Sequence, residues 1–156
     1  MYIMNPQTPV AAIMTKSLIT VHPDDRYSKV EDVFRAHNIH HIPVVDQGNK
    51  LVGIVSKTDL HTLLDKLTGH TSGKAYHEKL LSSMQIGEFM TLNPLVIEPE
   101  DTIGLAADII LSNKLHALPV VDDGTLVGLI TNHDLLAFAF AESTTFSNEE
   151  YSETDA

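Results

Sequence analysis

The sequence predicts a mixed α/β fold, built from two β-α-β-β-α repeats that pack sheet to sheet with pseudo-twofold symmetry. One stretch of the chain recurs at a fixed spacing, and each copy alternates between short apolar runs and apolar residues at helical spacing. A single copy of about 50–55 residues buries too little surface to be stable alone. Hydrophobic residues make up 43% of the 156-residue chain, so two copies together can bury a core.

The repeat is visible in the residues themselves. Residues 38–46 read Asn-Ile-His-His-Ile-Pro-Val-Val-Asp, and residues 114–122 read Lys-Leu-His-Ala-Leu-Pro-Val-Val-Asp, a displacement of 76 positions. The same displacement places Met14-Thr15 on Met90-Thr91, and it becomes 75 after the next turn because Lys50 is extra. Similarity at one spacing over this length indicates a duplicated structural unit.

Each unit carries signals for three strands. The first is a short apolar run that stops at a proline, the second is rich in valine, and the third follows a turn. The turns at residues 46–49 and 122–125 contain Asp and Gly, which favour hairpins. The predicted strands are Ile19–Val21, His41–Val45 and Leu51–Ser56 in the first unit, and Leu95–Ile97, Ala117–Val121 and Leu126–Thr131 in the second.

Two helices are expected in each unit. The first follows Pro23 or Pro99, and we expect Asp24 or Asp25 to cap it in the first unit. Its apolar face consists of Tyr27, Val30, Val33 and Phe34 in the first unit, and of Ile103, Ala106, Ala107, Ile110 and Leu111 in the second. The second helix carries Leu60, Leu63, Leu64 and Leu67, or Leu135, Leu136, Ala139 and Phe140.

These patterns divide the chain into four parts. Residues 1–67 hold an N-terminal segment and the first unit, 68–86 a linker, 87–142 the second unit, and 143–156 an acidic tail that we expect to be disordered. We expect Thr68–Gly73 to be the most flexible part of the linker and Tyr76–Met84 to be helical. Tyr2–Thr8 is expected to lie against the first unit.

Composition excludes several classes of protein. The chain has no cysteine, which rules out disulfides, thiolate metal sites and a cysteine nucleophile. Its longest apolar run, Leu135–Ala141, is far shorter than the ~20 residues that span a bilayer, and the N-terminus lacks the pattern of a signal peptide. We therefore expect a cytoplasmic protein with no membrane insertion. Residues 81–156 contain 13 of the 21 acidic residues and one of the 10 basic ones, which disfavours binding to nucleic acid.

One short pattern ends the third strand of both units: Gly, two apolar residues, Ser or Thr, two variable residues and Asp. A strand that turns into a helix presents free backbone N–H groups, which favour phosphate. The Asp can accept hydrogen bonds from the two hydroxyls of a ribose, but it can equally cap the helix. The pattern alone leaves both roles open, because both units share the same helix start.

The paired Pro-Val-Val-Asp strand ends, the Gly-to-Asp pattern and the Met-Thr openings together resemble a tandem CBS domain pair, across residues 10–142. The resemblance implies two repeats that associate through their sheets and leave two equivalent clefts. It implies that the clefts bind an adenosine-containing small molecule: AMP, ADP, ATP or S-adenosylmethionine. It also implies a regulatory module that has no catalytic activity, requires no cofactor, forms a homodimer and signals to an unidentified protein partner.

The resemblance further implies which residues line each cleft. One repeat supplies the segment for ribose and phosphate, and the other supplies the segments that face the adenine. The first cleft would combine Val55, Ser56, Lys57, Thr58 and Asp59 with Leu95, Val96, His116, Ala117, Leu118 and Pro119. The second would combine Ile130, Thr131, Asn132, His133 and Asp134 with Ile19, Thr20, His40, His41, Ile42 and Pro43. Asp59 and Asp134 would hold ribose hydroxyls, and Ser56 and Thr131 would reach phosphate.

The two clefts should differ in their affinity for phosphate. Lys57 supplies a permanent positive charge, whereas Asn132 and His133 are neutral donors near pH 7. Members of the family often carry Arg where this chain has His41 and Ala117, which weakens the case for tight polyphosphate binding. We expect any affinity that rests on His41 and His133 to rise as the pH falls through about 6.5.

Two other functions remain open. The first is a structural homodimerisation module without ligand, because the nearly all-apolar helix at Leu135–Ala141 would be buried by a second copy of the chain. The second is a metal-dependent hydrolase built on the nine histidines, although none of them forms an HExxH pattern. We interpret the histidines as polar surface or cleft residues instead.

Overall fold

Two small antiparallel sheets and five α-helices form the part of the chain that the structure, a computed structural model, describes: residues 5–68 and 74–140. The mixed α/β fold with two repeats is confirmed. The first sheet contains β1 (His41–Val45), β2 (Leu51–Ser56) and β3 (Thr91–Leu92), and the second contains β4 (Ala117–Asp122) and β5 (Thr125–Thr131). The helices are α1 (Tyr27–Ala36), α2 (Lys57–Thr68), α3 (Lys74–Ser83), α4 (Ile103–Asn113) and α5 (Asn132–Ala139).

The two hairpins have equivalent registers. His41 lies opposite Ser56 in the first, and Ala117 lies opposite Thr131 in the second. The turn of the second hairpin has positive φ angles of 50° at Asp123 and 79° at Gly124, as a two-residue turn with right-handed strand twist requires. The predicted hairpins are therefore confirmed.

The predicted first strand of each repeat is reduced to one residue. Val21 forms a single parallel bridge with Val44, and Ile97 forms a single parallel bridge with Val120. A proline follows two residues after each bridge and turns the chain away from the sheet. The strands predicted at Ile19–Val21 and Leu95–Ile97 are thus wrong in extent.

The first helices of the two repeats begin differently. Neither Asp24 nor Asp25 caps α1, which begins after Arg26 without a side-chain cap, so the predicted aspartate cap is wrong. Asp25 instead accepts a hydrogen bond at 2.8 Å from the backbone N–H of His22, which closes the preceding turn. In α4 the cap is Thr102, whose hydroxyl accepts a hydrogen bond from the backbone three residues on.

The apolar face of α1 is confirmed, and that of α4 is confirmed with one exception. Tyr27, Val30 and Phe34 of α1 are buried, and so are Ile103, Ala106 and Ile110 of α4. Leu111 is 76% exposed, contrary to the predicted face, because it lies on the side of α4 that turns away from the core. The face predicted for α5 is not buried as expected, because Leu136 is 59% exposed and Phe140, just past its end, is 50% exposed. The helix predicted at Tyr76–Met84 is α3, Lys74–Ser83.

Each repeat has its own hydrophobic core, and each core contains one residue from the segment that opens the other repeat. Ile86, which ends the predicted linker and corresponds to Val10 at the repeat spacing, lies in the first core, and Val10, from the start of the first repeat, lies in the second. The same exchange is visible in the backbone. Val10 donates to the carbonyl of Asp101 at 2.7 Å, and Ile86 donates to the carbonyl of Asp25 at 2.8 Å.

The exchange corrects the expectation that Tyr2–Thr8 lies against the first repeat. Within the described residues 5–8, Thr8 accepts a hydrogen bond from Ile103 at 2.9 Å, and Pro6 accepts one from Gly104 at 3.0 Å. Both donors belong to α4 of the second repeat. The N-terminal segment lies there because that position buries Val10, which follows it, in the second core.

The tips of the two hairpins also join the repeats. The backbone N–H of Leu51 donates to Gly124 at 3.1 Å, and that of Leu126 donates to Asn49 at 3.1 Å. Asn49 Nδ2 donates in addition to the carbonyl of Leu126 at 3.1 Å. The repeats are therefore held together at the hairpin tips as well as by the exchanged segments.

Some expectations fall outside the described residues. The flexibility predicted for Thr68–Gly73 concerns mainly residues 69–73, and the disorder predicted for the tail concerns residues 143–156; neither stretch is described. Among the described helices, none is both long and apolar enough to cross a membrane.

Candidate functional site

The first strand-to-helix turn lies where β2 ends at Ser56 and α2 begins at Lys57. The Ser56 hydroxyl accepts a hydrogen bond at 3.0 Å from the backbone N–H of Asp59, so Ser56 caps the helix. Asp59 itself is exposed, and its carboxylate accepts no hydrogen bond from residues 5–68 or 74–140. This carboxylate is thus available to a ligand.

The second turn has the same position in its repeat but a closed hydrogen-bond pattern. β5 ends at Thr131, whose hydroxyl accepts a hydrogen bond from the backbone N–H of Asp134 at 3.1 Å. In return, Asp134 Oδ2 accepts one from the backbone N–H of Thr131 at 2.9 Å. These reciprocal bonds form a capping box, so the capping role that the pattern left open applies to Asp134.

The Met-Thr openings reach across to the turn of the other repeat. The Thr15 hydroxyl donates to Asp134 Oδ1 at 3.2 Å and to Oδ2 at 3.3 Å, which joins residues 119 positions apart. In the other half of the molecule, Thr91 lies opposite Ile54, close to the end of β2. Each Asp-bearing turn therefore lies next to the opening segment of the other repeat.

Thr15 and Thr91 are candidate site residues that the sequence did not single out as such. The signal was present, because the Met-Thr pair recurs at the repeat spacing. A recurring residue indicates importance to the unit, but it does not indicate that its side chain contacts the other unit. Only the exchanged arrangement of the segments reveals that contact.

The residues expected to face an adenine differ in exposure. Leu95 and Val96 are 51% and 40% exposed, whereas Ile19 and Thr20 are partly buried. The remaining apolar residues assigned to the clefts are buried: Ile42, Pro43, Val55, Ala117, Leu118, Pro119 and Ile130. Open apolar surface is thus offered mainly by Leu95 and Val96.

The histidines that enter the second strands lie beside the turn of their own repeat. The carbonyl of His40 accepts a hydrogen bond from the N–H of Lys57 at 2.9 Å, and the carbonyl of His116 accepts one from Asn132 at 3.0 Å. The resemblance grouped His40 and His41 with the second turn and His116 with the first. Each hairpin brings the outer ends of its two strands to the same edge, so each of these histidines lies beside the turn of its own repeat, and the grouping across the repeats stays a prediction.

The two turns carry different polar groups at the first positions of their helices. Lys57 and Asn132 are both partly buried, and Asn132 Nδ2 lies 3.1 Å from His116 Nδ1. Thr58 and His133, which follow them, are exposed. The first turn therefore has a cation where the second has an amide already paired with a histidine.

Residues of both repeats affect the protonation of His41. Burial lowers the pKa of His41 below its usual value near 6.5, and the neighbouring His116 and His40 lower it further, while Asp59 acts in the opposite direction. His41 is therefore neutral at pH 7 and gains its charge at a lower pH than the sequence alone suggests. Since His41 and His116 belong to different repeats, the strand entries of the two repeats lie near each other.

The histidines do not assemble a metal centre in the part of the chain that the structure describes. No group of three or more His, Asp or Glu side chains there is arranged to hold a metal ion. Two of the histidines have protein partners instead: His22 Nδ1 lies 2.8 Å from the carbonyl of Val45, and His116 pairs with Asn132.

Comparison with curated proteins agrees with the duplicated fold. The family model of the CBS domain matches residues 10–66 and 86–140. The chain is 35% identical to the chloroplastic CBS domain-containing protein CBSX1 of Arabidopsis thaliana, over 83% of this chain and 63% of that protein. It is 33% identical to inosine-5′-monophosphate dehydrogenase of Aquifex aeolicus over 76% of this chain, but it spans only 22% of that enzyme.

Solved structures are similar over most of the chain. The crystal structure of CBSX2 in complex with AMP, a protein of Arabidopsis thaliana, has a TM-score of 0.73 at 28% identity and matches 87% of this chain and 98% of that chain. The CBS domain pair of protein MJ0100 in complex with 5′-methylthioadenosine and S-adenosyl-L-methionine has a TM-score of 0.71 at 27% identity, over 89% of this chain and all of the other. With the family model matched in both repeats, the chain belongs to the CBS domain family and carries two CBS domains in tandem.

Proposed function

We propose that this chain is a regulatory module without catalytic activity, which binds an adenosyl ligand in the crevices between its two repeats. The observation that carries the proposal is that each Asp-bearing turn lies next to the opening segment of the other repeat, as shown by the hydrogen bond from Thr15 to Asp134 and by the pairing of Thr91 with Ile54. A crevice built from two repeats changes shape when the repeats move. Similar proteins bind AMP, or 5′-methylthioadenosine and S-adenosylmethionine, which supports this class of ligand.

The chemistry of the first crevice suits each part of a nucleotide. The exposed Asp59 carboxylate accepts hydrogen bonds from the ribose hydroxyls. Ser56, Lys57 and the first N–H groups of α2 hold the phosphate, because the start of a helix attracts anions. Leu95 and Val96 contact the faces of the adenine ring, which is flat and largely apolar.

Each crevice is formed by both repeats, and a bound ligand therefore regulates the protein by changing how the repeats are arranged. A ligand that contacts both repeats favours the arrangement in which they lie close together. The resulting shift is limited to the difference in the ligand's affinity for the two arrangements. A protein partner that binds across both repeats, or another copy of this chain, then senses the ligand through their relative position.

A structural role in homodimerisation is the second candidate, and exposed apolar residues on α4 and α5 favour it. Leu111 is 76% exposed and Leu136 is 59% exposed. Large apolar side chains on adjacent helices suit a second copy of the chain, which would remove them from water. Light scattering of the purified chain tests this role: we expect a dimer, and Leu136→Asp should yield monomers.

Thermal unfolding with a panel of ligands separates the two candidates. The panel is AMP, ADP, ATP, S-adenosylmethionine and NADH, with GMP as a control for nonspecific effects of a nucleotide. A sensor gains about 2.7 kcal/mol of stability at ~100 times the dissociation constant of its ligand. A dimer that none of the adenosyl compounds stabilises would contradict ligand sensing and leave the structural role.

The cytoplasmic location expected from the sequence stays a prediction, because a chloroplastic relative exists. Cell fractionation followed by immunoblotting tests it. Recovery of the chain in an organelle or membrane fraction would contradict it.

A further inference from the structure

The two Asp-bearing turns leave their carboxylates in different states. Asp134 accepts the backbone N–H of Thr131 through Oδ2 and the hydroxyl of Thr15 through both oxygens. Asp59 occupies the equivalent position, yet its carboxylate accepts no hydrogen bond from any residue in the two described ranges. One acidic group is therefore engaged by the chain itself, and the other is free to accept.

Thr15 provides the chemical group that a ligand would provide. A ribose binds a carboxylate through hydroxyl donors, and the Thr15 hydroxyl donates to Asp134 at 3.2 and 3.3 Å. A ligand at this turn must break both contacts before its own hydroxyls can replace them. The opening segment thus competes with the ligand for the same oxygens.

The apolar residues assigned to the two crevices also differ in how exposed they are. Leu95 and Val96, which the resemblance assigns to the crevice of the first turn, are substantially exposed. Ile19 and Thr20, their equivalents in the first repeat, are partly buried. More apolar surface is therefore left to cover on the Asp59 side, and covering it favours binding.

The polar groups that would meet a phosphate also differ. Lys57 makes no ion pair or side-chain hydrogen bond with the described residues, so its charge is available. Its counterpart Asn132 is neutral and lies in hydrogen-bonding distance of His116. A phosphate gains a charge-assisted hydrogen bond at the first turn and none at the second.

From these three differences we infer that the crevices are not equivalent: an adenosyl ligand with a phosphate binds at Asp59 and Lys57, while Thr15 keeps the Asp134 crevice closed. This inference rests on the proposed function and deepens it. It assigns one ligand to each chain and makes Thr15 a positioning residue that limits the second site.

Calorimetric titration of the full chain with AMP tests which crevice is used. We expect one AMP per chain, at least about tenfold weaker binding for Asp59→Asn, and binding within about twofold of the original for Asp134→Asn. Asp134→Asn is a suitable control for Asp59→Asn because the amide oxygen of residue 134 still accepts the hydrogen bond from the Thr131 N–H and preserves the helix cap. Two equal sites in the unmodified chain, or loss of AMP binding in Asp134→Asn, would overturn the inference.

The role of Thr15 is tested by measuring whether a variant gains a second AMP-binding site. Thr15→Val removes the hydroxyl but keeps the shape of the side chain, and we expect a second AMP to bind to it. Thr15→Ser keeps the hydroxyl and should still bind one AMP. If Thr15→Val also binds only one, Thr15 does not close the second crevice.

The role of Lys57 is tested with a pair of ligands. In Lys57→Met, AMP should bind about tenfold more weakly, while adenosine, which lacks the phosphate, should bind within about twofold of its original affinity. Lys66→Met, an exposed residue on the same helix, controls for the loss of one charge and should change neither affinity. An equal loss for AMP and adenosine in Lys57→Met would contradict a phosphate contact.

Different titration results refute the proposed function and the difference between the crevices. If none of AMP, ATP and S-adenosylmethionine binds to the unmodified chain, the proposed function fails, and the inference fails with it. If AMP binds with two equal sites, the proposed function survives and only the difference between the crevices is refuted.

Discussion

Met14 packs against Gly128 so closely that a Cβ placed on the glycine would lie 2.5 Å from Met14 Sδ. Met90 and Gly53 repeat the arrangement in the other half of the molecule, at 2.6 Å. Neither glycine has a positive φ angle, so each is required for close approach and not for an unusual backbone conformation. These two crossings hold the opening segments against the sheets and thereby build both candidate crevices.

Replacing either glycine by alanine should destabilise the fold. In Gly53→Ala the new methyl group would meet the carbonyl oxygen of Thr91 at 2.9 Å, and in Gly128→Ala that of Thr15 at 3.1 Å, and backbone yields less easily than a side chain. We expect a loss of about 1–3 kcal/mol in the free energy of unfolding, measured by urea denaturation. Gly48→Ala is the control, because its nearest neighbour would be a side-chain oxygen at 3.4 Å. An equal loss in all three variants would contradict the steric explanation.

Stability should fall on acidification because of His41. Its pKa is lowered in the folded chain by burial and by His116 and His40, so the unfolded chain takes up a proton more readily below pH 6.5. The contribution to the free energy of unfolding is fully present above about pH 6.5 and is lost as the pH falls toward the lowered pKa. Urea denaturation between pH 5 and pH 8 measures this dependence.

Two histidine variants isolate that contribution. His41→Gln removes the titrating ring and should flatten the fall in stability below about pH 6.5. His37→Gln removes an exposed histidine at the end of α1 and should leave the fall unchanged. If the pH dependence is the same in both variants, His41 is not its source.

Asn49 should contribute to the stability of the joined hairpin tips in two separable ways. Its side chain donates to Leu126 in the other repeat, and its backbone has a positive φ of 61°. Asn49→Gly keeps the favourable backbone but loses the hydrogen bond, at an expected cost of about 1 kcal/mol. Asn49→Val loses both and should cost about 1–2 kcal/mol more, because a β-branched residue is strained at positive φ. If Asn49→Gly and Asn49→Val lose the same free energy of unfolding in urea denaturation, the positive φ of Asn49 contributes nothing to the difference.

The parts of the fold that the sequence predicted depend on local signals. The hairpin around Asp123 and Gly124 follows from the turn residues themselves, and the buried faces of α1 and α4 follow from helical spacing. No local signal in the sequence predicts that Val10 and Ile86 each pack in the core of the other repeat. Each segment would satisfy the same apolar pattern by packing on its own repeat, so only the packing of the whole molecule decides between the two arrangements.

The candidate site was likewise predictable only where local spacing in the sequence reveals its residues. Ser56, Asp59, Thr131 and Asp134 were found because their spacing recurs in both repeats. The contact from Thr15 to Asp134 was not predictable from the turns, because Thr15 lies more than a hundred residues before Asp134. A contact of this kind depends on tertiary packing and leaves no trace in the turn sequence.

The exchange of segments predicts that a cavity in one opening segment loosens the other repeat. Val10 and Ile86 are both fully buried, in the second and first core respectively. Val10→Ala should cost about 1–3 kcal/mol and Ile86→Ala about 2–5 kcal/mol of unfolding free energy. Hydrogen exchange measured by mass spectrometry locates the effect, since a cavity lowers protection most in the core that contains it.

The two variants serve as controls for each other. Val10→Ala should increase exchange in α4 and in the hairpin of β4 and β5, although residue 10 belongs to the first repeat by sequence. Ile86→Ala should increase exchange in α1 and in the hairpin of β1 and β2. If Val10→Ala loosened α1 instead, the opening segments would pack on their own repeats in solution. The crevices would then lack the second wall on which ligand binding depends.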